Sequence, residues 1–196
     1  MSKLSEAFEL ARSLHEKQFR KGTSIPYISH LMSVSALVLE HGGDEIQAIA
    51  GLLHDTLEDA GPDHGATILK QFGKRALRIV EGCTDGVPDA SGQKADWKER
   101  KVAYLAHLDT VEEDTLLVSA CDKLHNARAI LLDLRSYGTD VFKRFKAGQE
   151  GTLWYYRSLA NLFANRMPGP LADELERTVS AMESEADNKN NLASRM

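Results

Sequence analysis

Apolar residues recur at three- and four-residue spacing along almost the whole chain, the period of helices buried on one side. Leu4, Ala7, Phe8, Ala11 and Leu14 form a first stripe, and Val34, Leu37 and Val38 a second. Asp44 followed by Gln47 has the form of a capping box. It opens a third helix carrying Ile46, Ile49, Ala50, Leu53 and Leu57. Ile68, Leu69 and Phe72 predict a short helix ended by Gly73, and Ala76, Leu77, Ile79 and Val80 another ended by Gly82. Turn residues crowd positions 84–94, which read as the longest loop. Helices resume over Trp97 to Leu108 and from about Glu112 to Arg135. The run Leu116-Leu117-Val118 could pass for a strand, but its continuation through Leu124, Ala127, Ile130, Leu131 and Leu134 favours one long buried helix. Further helices fall near 139–147, 152–165 and 170–186, with Met167-Pro168-Gly169-Pro170 breaking the last two apart. The expectation is an all-α domain of about ten helices over residues 1–187, followed by a flexible tail at 188–196.

Composition narrows the function classes. The chain has 196 residues, 42% hydrophobic and 27% charged, the balance of a globular domain. Its net charge of −5 argues against long nucleic acids as partners, because affinity there comes from neutralising phosphates. A local basic patch for one small anion is still compatible with that charge. No segment approaches the roughly 18 apolar residues that span a bilayer, and the N-terminus lacks a signal peptide's pattern. A membrane partner is not expected, and a cytoplasmic location is. Cys83 and Cys121 sit in apolar runs without pairing or metal spacing, and read as small buried residues in a reducing compartment. Nothing in the pattern sets an oligomeric state.

Against this background one stretch stands out. Leu52-Leu53-His54-Asp55-Thr56-Leu57-Glu58-Asp59 crowds four ionisable groups onto the end of an apolar helix. His54 and Glu58 are four apart, as are Asp55 and Asp59, so on an α-helix each pair would stack on one of two adjoining faces. Clustered carboxylates repel and are costly to bury, and a nearby cation relieves both problems. His30 lies on the inward line His30–Val34–Leu37–Val38, and Asp122 interrupts the buried run between Cys121 and Leu124. Two imidazoles and two carboxylates suit a divalent metal. Without thiolates the set leans toward Mn²⁺ in an open octahedral site over closed structural zinc. Any one of these residues alone would more often be structural. His15 fits that reading, as a hydrogen-bonded core histidine at the end of the first stripe.

The joint pattern resembles the HD superfamily of metal-dependent phosphohydrolases, in particular the hydrolase domain of RelA/SpoT-type enzymes, with the stand-alone small alarmone hydrolases nearest in size. The similar segments are His15-Glu16-Lys17-Gln18-Phe19-Arg20-Lys21, Pro26-Tyr27-Ile28-Ser29-His30, Leu53-His54-Asp55-Thr56-Leu57-Glu58-Asp59, Phe72-Gly73, and Cys121-Asp122-Lys123-Leu124-His125-Asn126-Ala127-Arg128. The resemblance implies that His30, His54, Asp55 and Asp122 hold the metal. It implies that Glu58 and Asp59 act on the attacking water or the leaving group, that Arg20 and Lys21 line the nucleotide site, and that Asn126 contacts the ribose. The implied reaction is hydrolysis of (p)ppGpp at its 3′-diphosphate to GDP or GTP and pyrophosphate, part of the stringent response. Alternatives are another nucleotide phosphohydrolase, such as an NADPH 2′-phosphatase or a nucleotidase, and a silent alarmone-binding sensor. The chain departs from the family in Ser24-Ile25 before Pro26-Tyr27 and in Ala129, where the long enzymes carry Thr. Its length leaves no room for their synthetase domain, so degradation without synthesis is the expectation. Lys98, Arg100 and Lys101, flanking Trp97, could close over phosphates or form an ordinary solvated face. Trp154-Tyr155-Tyr156 could stack a base, though core packing is the favoured reading.

Overall fold

The structure is a computed structural model that describes residues 2–86 and 95–193. Among the described residues there are eight α-helices and no strand: α1 (Lys3–Leu14), α2 (Ile28–Glu40), α3 (Glu45–Leu53), α4 (His64–Cys83), α5 (Trp97–Leu108), α6 (Glu113–Tyr137), α7 (Gly148–Arg166) and α8 (Pro170–Ala193). A π-helical turn at Thr56–Ala60 follows α3, and a 3-10 segment at Gly138–Arg144 follows α6. The all-α expectation therefore holds with slightly fewer α-helices. Of the loop expected at 84–94, residues 87–94 lie outside the described residues. Among those described, no helix is long and apolar enough to cross a membrane.

Local chemistry explains most boundaries. The capping box forms as expected: the Asp44 carboxylate accepts from the Gln47 amide, and the Gln47 side chain accepts from the Asp44 N–H. Ser2 caps α1, and the Asp96 carboxylate accepts from the Lys98 amide to start α5. The stop expected at Gly73 is a sharp kink in α4, where Gly73 adopts φ 89°. The polar end expected to fray after Asp187 instead continues α8 as far as Ala193, carried by a helix whose inner face (Leu171, Leu175, Val179, Met182, Ala186) is buried.

Helix α6 forms the axis of the fold. It packs against α2, α3, α4, α7 and α8. Leu116, Leu124 and Leu134 are enclosed along it, and truncating any of them to Ala would cost about 2–5 kcal/mol. Helices α2 and α3 approach closely enough that a Cβ on Gly51 would lie 3.1 Å from the Ser35 Cα. The Ser35 hydroxyl donates to the Ala48 carbonyl (2.9 Å) across the same contact. This close crossing brings the start of α2 to the end of α3, with the middle of α6 beneath both.

Candidate metal centre

Three elements converge there. His30 sits in the first turn of α2, His54 and Asp55 follow the last residue of α3, and Asp122 projects from α6. His30, His54 and Asp122 present ligand atoms that all lie within 4.8 Å of one another. The Asp122 Oδ1 is 3.2 Å from His30 Nε2 and 3.5 Å from His54 Nε2. The Asp55 Oδ2 is 3.0 Å from His54 Nε2 and 3.7 Å from His30 Nε2. Three of the four sequence-expected ligands thus share one cluster, and Asp55 lies against both of its imidazoles. Neither Nε2 has a hydrogen-bond partner, although both are buried. Orphaned buried nitrogens aimed at two carboxylates fit a cation. The donor set, two imidazoles and two carboxylates without a thiolate, suits a divalent metal.

Outer contacts orient each ligand. His54 Nδ1–H donates to the Gly51 carbonyl (2.8 Å), which leaves the Nε2 lone pair facing the cluster. His30 Nδ1 lies 2.8 Å from His125 Nδ1. A metal on His30 Nε2 requires the proton on Nδ1, making His30 the donor and His125 the acceptor. The Tyr27 hydroxyl donates to Asp55 Oδ2 (2.5 Å). The two Asp122 oxygens accept from Lys123 Nζ and Asn126 Nδ2, each at 2.6 Å. Asn126, expected at the ribose, thus donates its amide to the Asp122 carboxylate.

The charges follow from this packing. Burial lowers the His30 and His125 pKa, the latter to about 4, so both rings stay neutral near pH 7. Burial opposes charge on His54, but Asp55 and Asp122 outweigh it and raise its pKa well above the usual value. The two carboxylates therefore draw positive charge to that nitrogen. Burial disfavours ionised Asp122, yet Lys123 and His54 hold its carboxyl well below the usual range. Asp55 is held low in the same way, with His54 as the main charge opposing burial.

Glu58 and Asp59 do not continue α3. The helix stops at Leu53, and Thr56–Ala60 winds into the wider π turn closed by Gly61 at φ 119°. This corrects the expectation of one α-helical turn carrying His54, Asp55, Glu58 and Asp59, and it removes Leu57 from α3. π-Bulges of this kind concentrate at functional sites. The Asp59 carboxylate accepts from Gln18 Nε2 (2.7 Å), and burial with the charge of Asp55 raises its pKa. His15 is buried, as the core reading required, and pairs through Nδ1 with Gln18 Oε1 (2.6 Å).

Beside the cluster lies a cavity of about 330 Å³ whose lining includes Arg20, Lys21, Tyr27 and Asn126. Arg20 and Lys21 reach it from the turn pinned by the Phe19–Pro26 bridge. The α5 cations are placed differently. Lys98 Nζ sits 2.8 Å above the Trp154 ring, and Lys101 is ion-paired with Asp85 while lying 4.7 Å above the Tyr155 ring. Burial, then the charge of Lys123, lowers the Lys101 pKa to about 8, while the charges of Glu58, Asp122 and Asp55 act to raise it. Of the Trp154-Tyr155-Tyr156 trio, Tyr155 and Tyr156 are buried, as the core reading had them, while Trp154 is half-buried under Lys98. Both cysteines are buried and free, with thiol pKa values raised by burial, for Cys121 to about 12.

Sequence reasoning assigned no role to Tyr27, Lys123, His125 or Asp85. Lys123 and His125 carried a signal, since polar residues next to Asp122 in a buried helix need partners. Tyr27 and Asp85 carried none that periodicity could reveal.

The profile of the HD domain family matches residues 7–153. A guanosine-3′,5′-bis(diphosphate) 3′-pyrophosphohydrolase from Aquifex aeolicus is 35% identical over 129 residues, covering 65% of this chain and 18% of the relative. A probable GTP pyrophosphokinase from Mycobacterium leprae is 31% identical over 132 residues, covering 66% and 16%. The chain thus spans less than a fifth of the length of these curated relatives. Among solved structures, lmo0812 from Listeria monocytogenes EGD-e superposes with TM-score 0.65 at 27% identity, covering 76% of this chain and 96% of that one. A metazoan ortholog of SpoT that hydrolyzes ppGpp superposes with TM-score 0.70 at 23% identity, covering 91% and 94%, a likeness of fold.

Proposed function

The chain belongs to the HD domain family, whose profile covers residues 7–153, and from that premise we propose that it is a divalent-metal-dependent phosphohydrolase that removes the 3′-diphosphate of (p)ppGpp as pyrophosphate. The observation that carries the reading is the pair of buried, unpartnered His30 and His54 Nε2 atoms facing Asp55 and Asp122. These four side chains would hold the metal, for which Mn²⁺ suits the mixed nitrogen and oxygen donors. A cation there supplies hydroxide near neutral pH and polarises the phosphoryl group.

The remaining roles belong to the chain itself. Glu58, half-buried in the π turn, takes a proton from the attacking water. Asp59, whose raised pKa favours its protonated form, returns one to the leaving oxygen, with Gln18 fixing its carboxyl. Arg20 and Lys21 draw the polyanion into the adjoining cavity. Lys98 and Lys101 do not line that cavity, and Lys101 would exchange Asp85 for a phosphate as the substrate enters. The alarmone assignment is supported by this cationic cavity at the metal centre and by the activity named for the Aquifex relative.

The test is turnover of ppGpp, pppGpp, NADPH and nucleoside monophosphates by Mn²⁺-loaded protein, with products identified. Pyrophosphate and GDP from ppGpp are expected. Activity on another panel member with none on either alarmone would overturn the substrate assignment. Tight ppGpp binding without pyrophosphate release would mark the protein as a sensor.

A further inference from the structure

Among the described residues that line the cavity beside the metal centre there is one carboxylate, Asp133, and its position suggests a task. Asn126, Ala129, Ile130 and Asp133 all line this space from α6. Their spacing of three, four and seven residues puts them on one face of that helix. At 1.5 Å per residue, Asp133 lies about 10 Å along α6 from Asn126 and about 16 Å from the ligand Asp122, a span that a 3′-phosphorylated nucleoside and the side chains facing it bridge. The metal end of the strip handles phosphate, so the Asp133 end meets the base. Ala129 and Ile130 leave an apolar floor between them, and the Tyr156 ring lies against the same space.

Asp133 is half-buried and held in place. Arg144 Nη1 donates to its Oδ2 at 2.6 Å, and the Arg144 stem packs where a Cβ on Gly22 would fall, 2.7 Å from Cδ. The guanidinium also lies 5.5 Å from the Tyr137 ring centroid. One arginine thus braces both the carboxylate and the turn that carries Arg20 and Lys21. An ionised carboxylate accepts hydrogen bonds at about four lone-pair positions, of which Arg144 uses one.

We infer that Asp133 is the residue that selects the nucleobase, accepting adjacent N–H groups from a base that presents two donors on one edge. Guanine has that edge, with N1–H beside the N2 amino group. Hypoxanthine keeps N1–H and loses the amino group. Adenine presents a bare N1 lone pair to the carboxylate. The expected order is therefore guanine, then hypoxanthine, then adenine, since a site built to accept hydrogen bonds rejects a base that leaves it unpaired. This rests on the nucleotide reading above and adds to it the residue that reads the base.

The test compares guanosine, inosine and adenosine 3′,5′-bis(diphosphates) as substrates, and GDP, IDP and ADP as non-reacting ligands, with Mn²⁺-loaded wild type and Asp133→Asn. Wild type is expected to prefer guanosine over inosine by at least about tenfold in both kcat/KM and Kd. Asp133→Asn should erase that preference, raising KM for the guanosine substrate while leaving the inosine one within about twofold. An equal loss on both substrates, or a wild type that binds GDP and IDP alike, overturns the inference. If no bis(diphosphate) is turned over, the hydrolase reading falls, and the GDP and IDP affinities still decide the role of Asp133.

Discussion

Replacing His125 by Ala tests whether the contacts behind the ligands matter as much as the ligands themselves. His125 Nδ1 accepts the hydrogen bond that orients His30, at 2.8 Å. The His30 ring has no exposed surface, so its N–H is left without a protein acceptor when His125 is truncated. An unmade buried donor costs about 1–3 kcal/mol. Loss of an outer-shell partner of a metal-bound histidine typically costs about 10–100-fold in affinity or activity. At about 1.4 kcal/mol per tenfold the two figures agree. His125→Ala should therefore raise the Mn²⁺ Kd by about 10–100-fold in titration calorimetry. For a domain of this size each kcal/mol moves Tm by roughly 2–4 °C, so a drop of several degrees should accompany it. His125→Gln, which restores a carbonyl acceptor, should recover most of both losses. A folded His125→Ala protein binding Mn²⁺ within twofold of wild type would refute the reasoning, because His30 would then need no fixed tautomer.

Three further outcomes follow from the site. Glu58→Gln should retain stoichiometric metal by elemental analysis and lose about 10²–10⁴ in kcat, and loss of metal as well would make Glu58 a ligand. Arg20→Ala should act mainly on KM, raising it by about tenfold or more, because a charge that binds the polyanion serves ground and transition states alike. Asp59 gives a pH signature. Its raised pKa means that the folded state holds the proton more tightly than the unfolded chain, so the stability it contributes is complete below the ordinary aspartate value and is lost as pH rises through the raised one. Asp59→Asn, neutral throughout, should therefore raise Tm at pH 7 in metal-free buffer and change it little at pH 3. An equal shift at both values would show that the effect is not electrostatic.

Helical period, the Asp44–Gln47 box, the Gly73 break and the inward positions of His30 and Asp122 were all written in the local pattern. Each depends on interactions within a few residues or on which face of one helix is apolar, and a sequence displays both directly. The need of His30, His54, Asp55 and Asp122 for partners was legible in the same way, since ionisable groups at apolar positions are costly to leave bare. What only the tertiary structure decided is how the ends of these elements meet. The π turn at Thr56–Ala60 cannot be read from Thr-Leu-Glu-Asp-Ala, because an α-helix satisfies the same residues locally and packing selects the wider turn. The contacts of His125 with His30 and Tyr27 with Asp55 depend on α2, α3 and α6 crossing at one point. That crossing depends in turn on Gly51 and Ser35 letting two backbones touch. Sequence separation hides such contacts, because a periodic stripe says which face turns inward but not what it meets there.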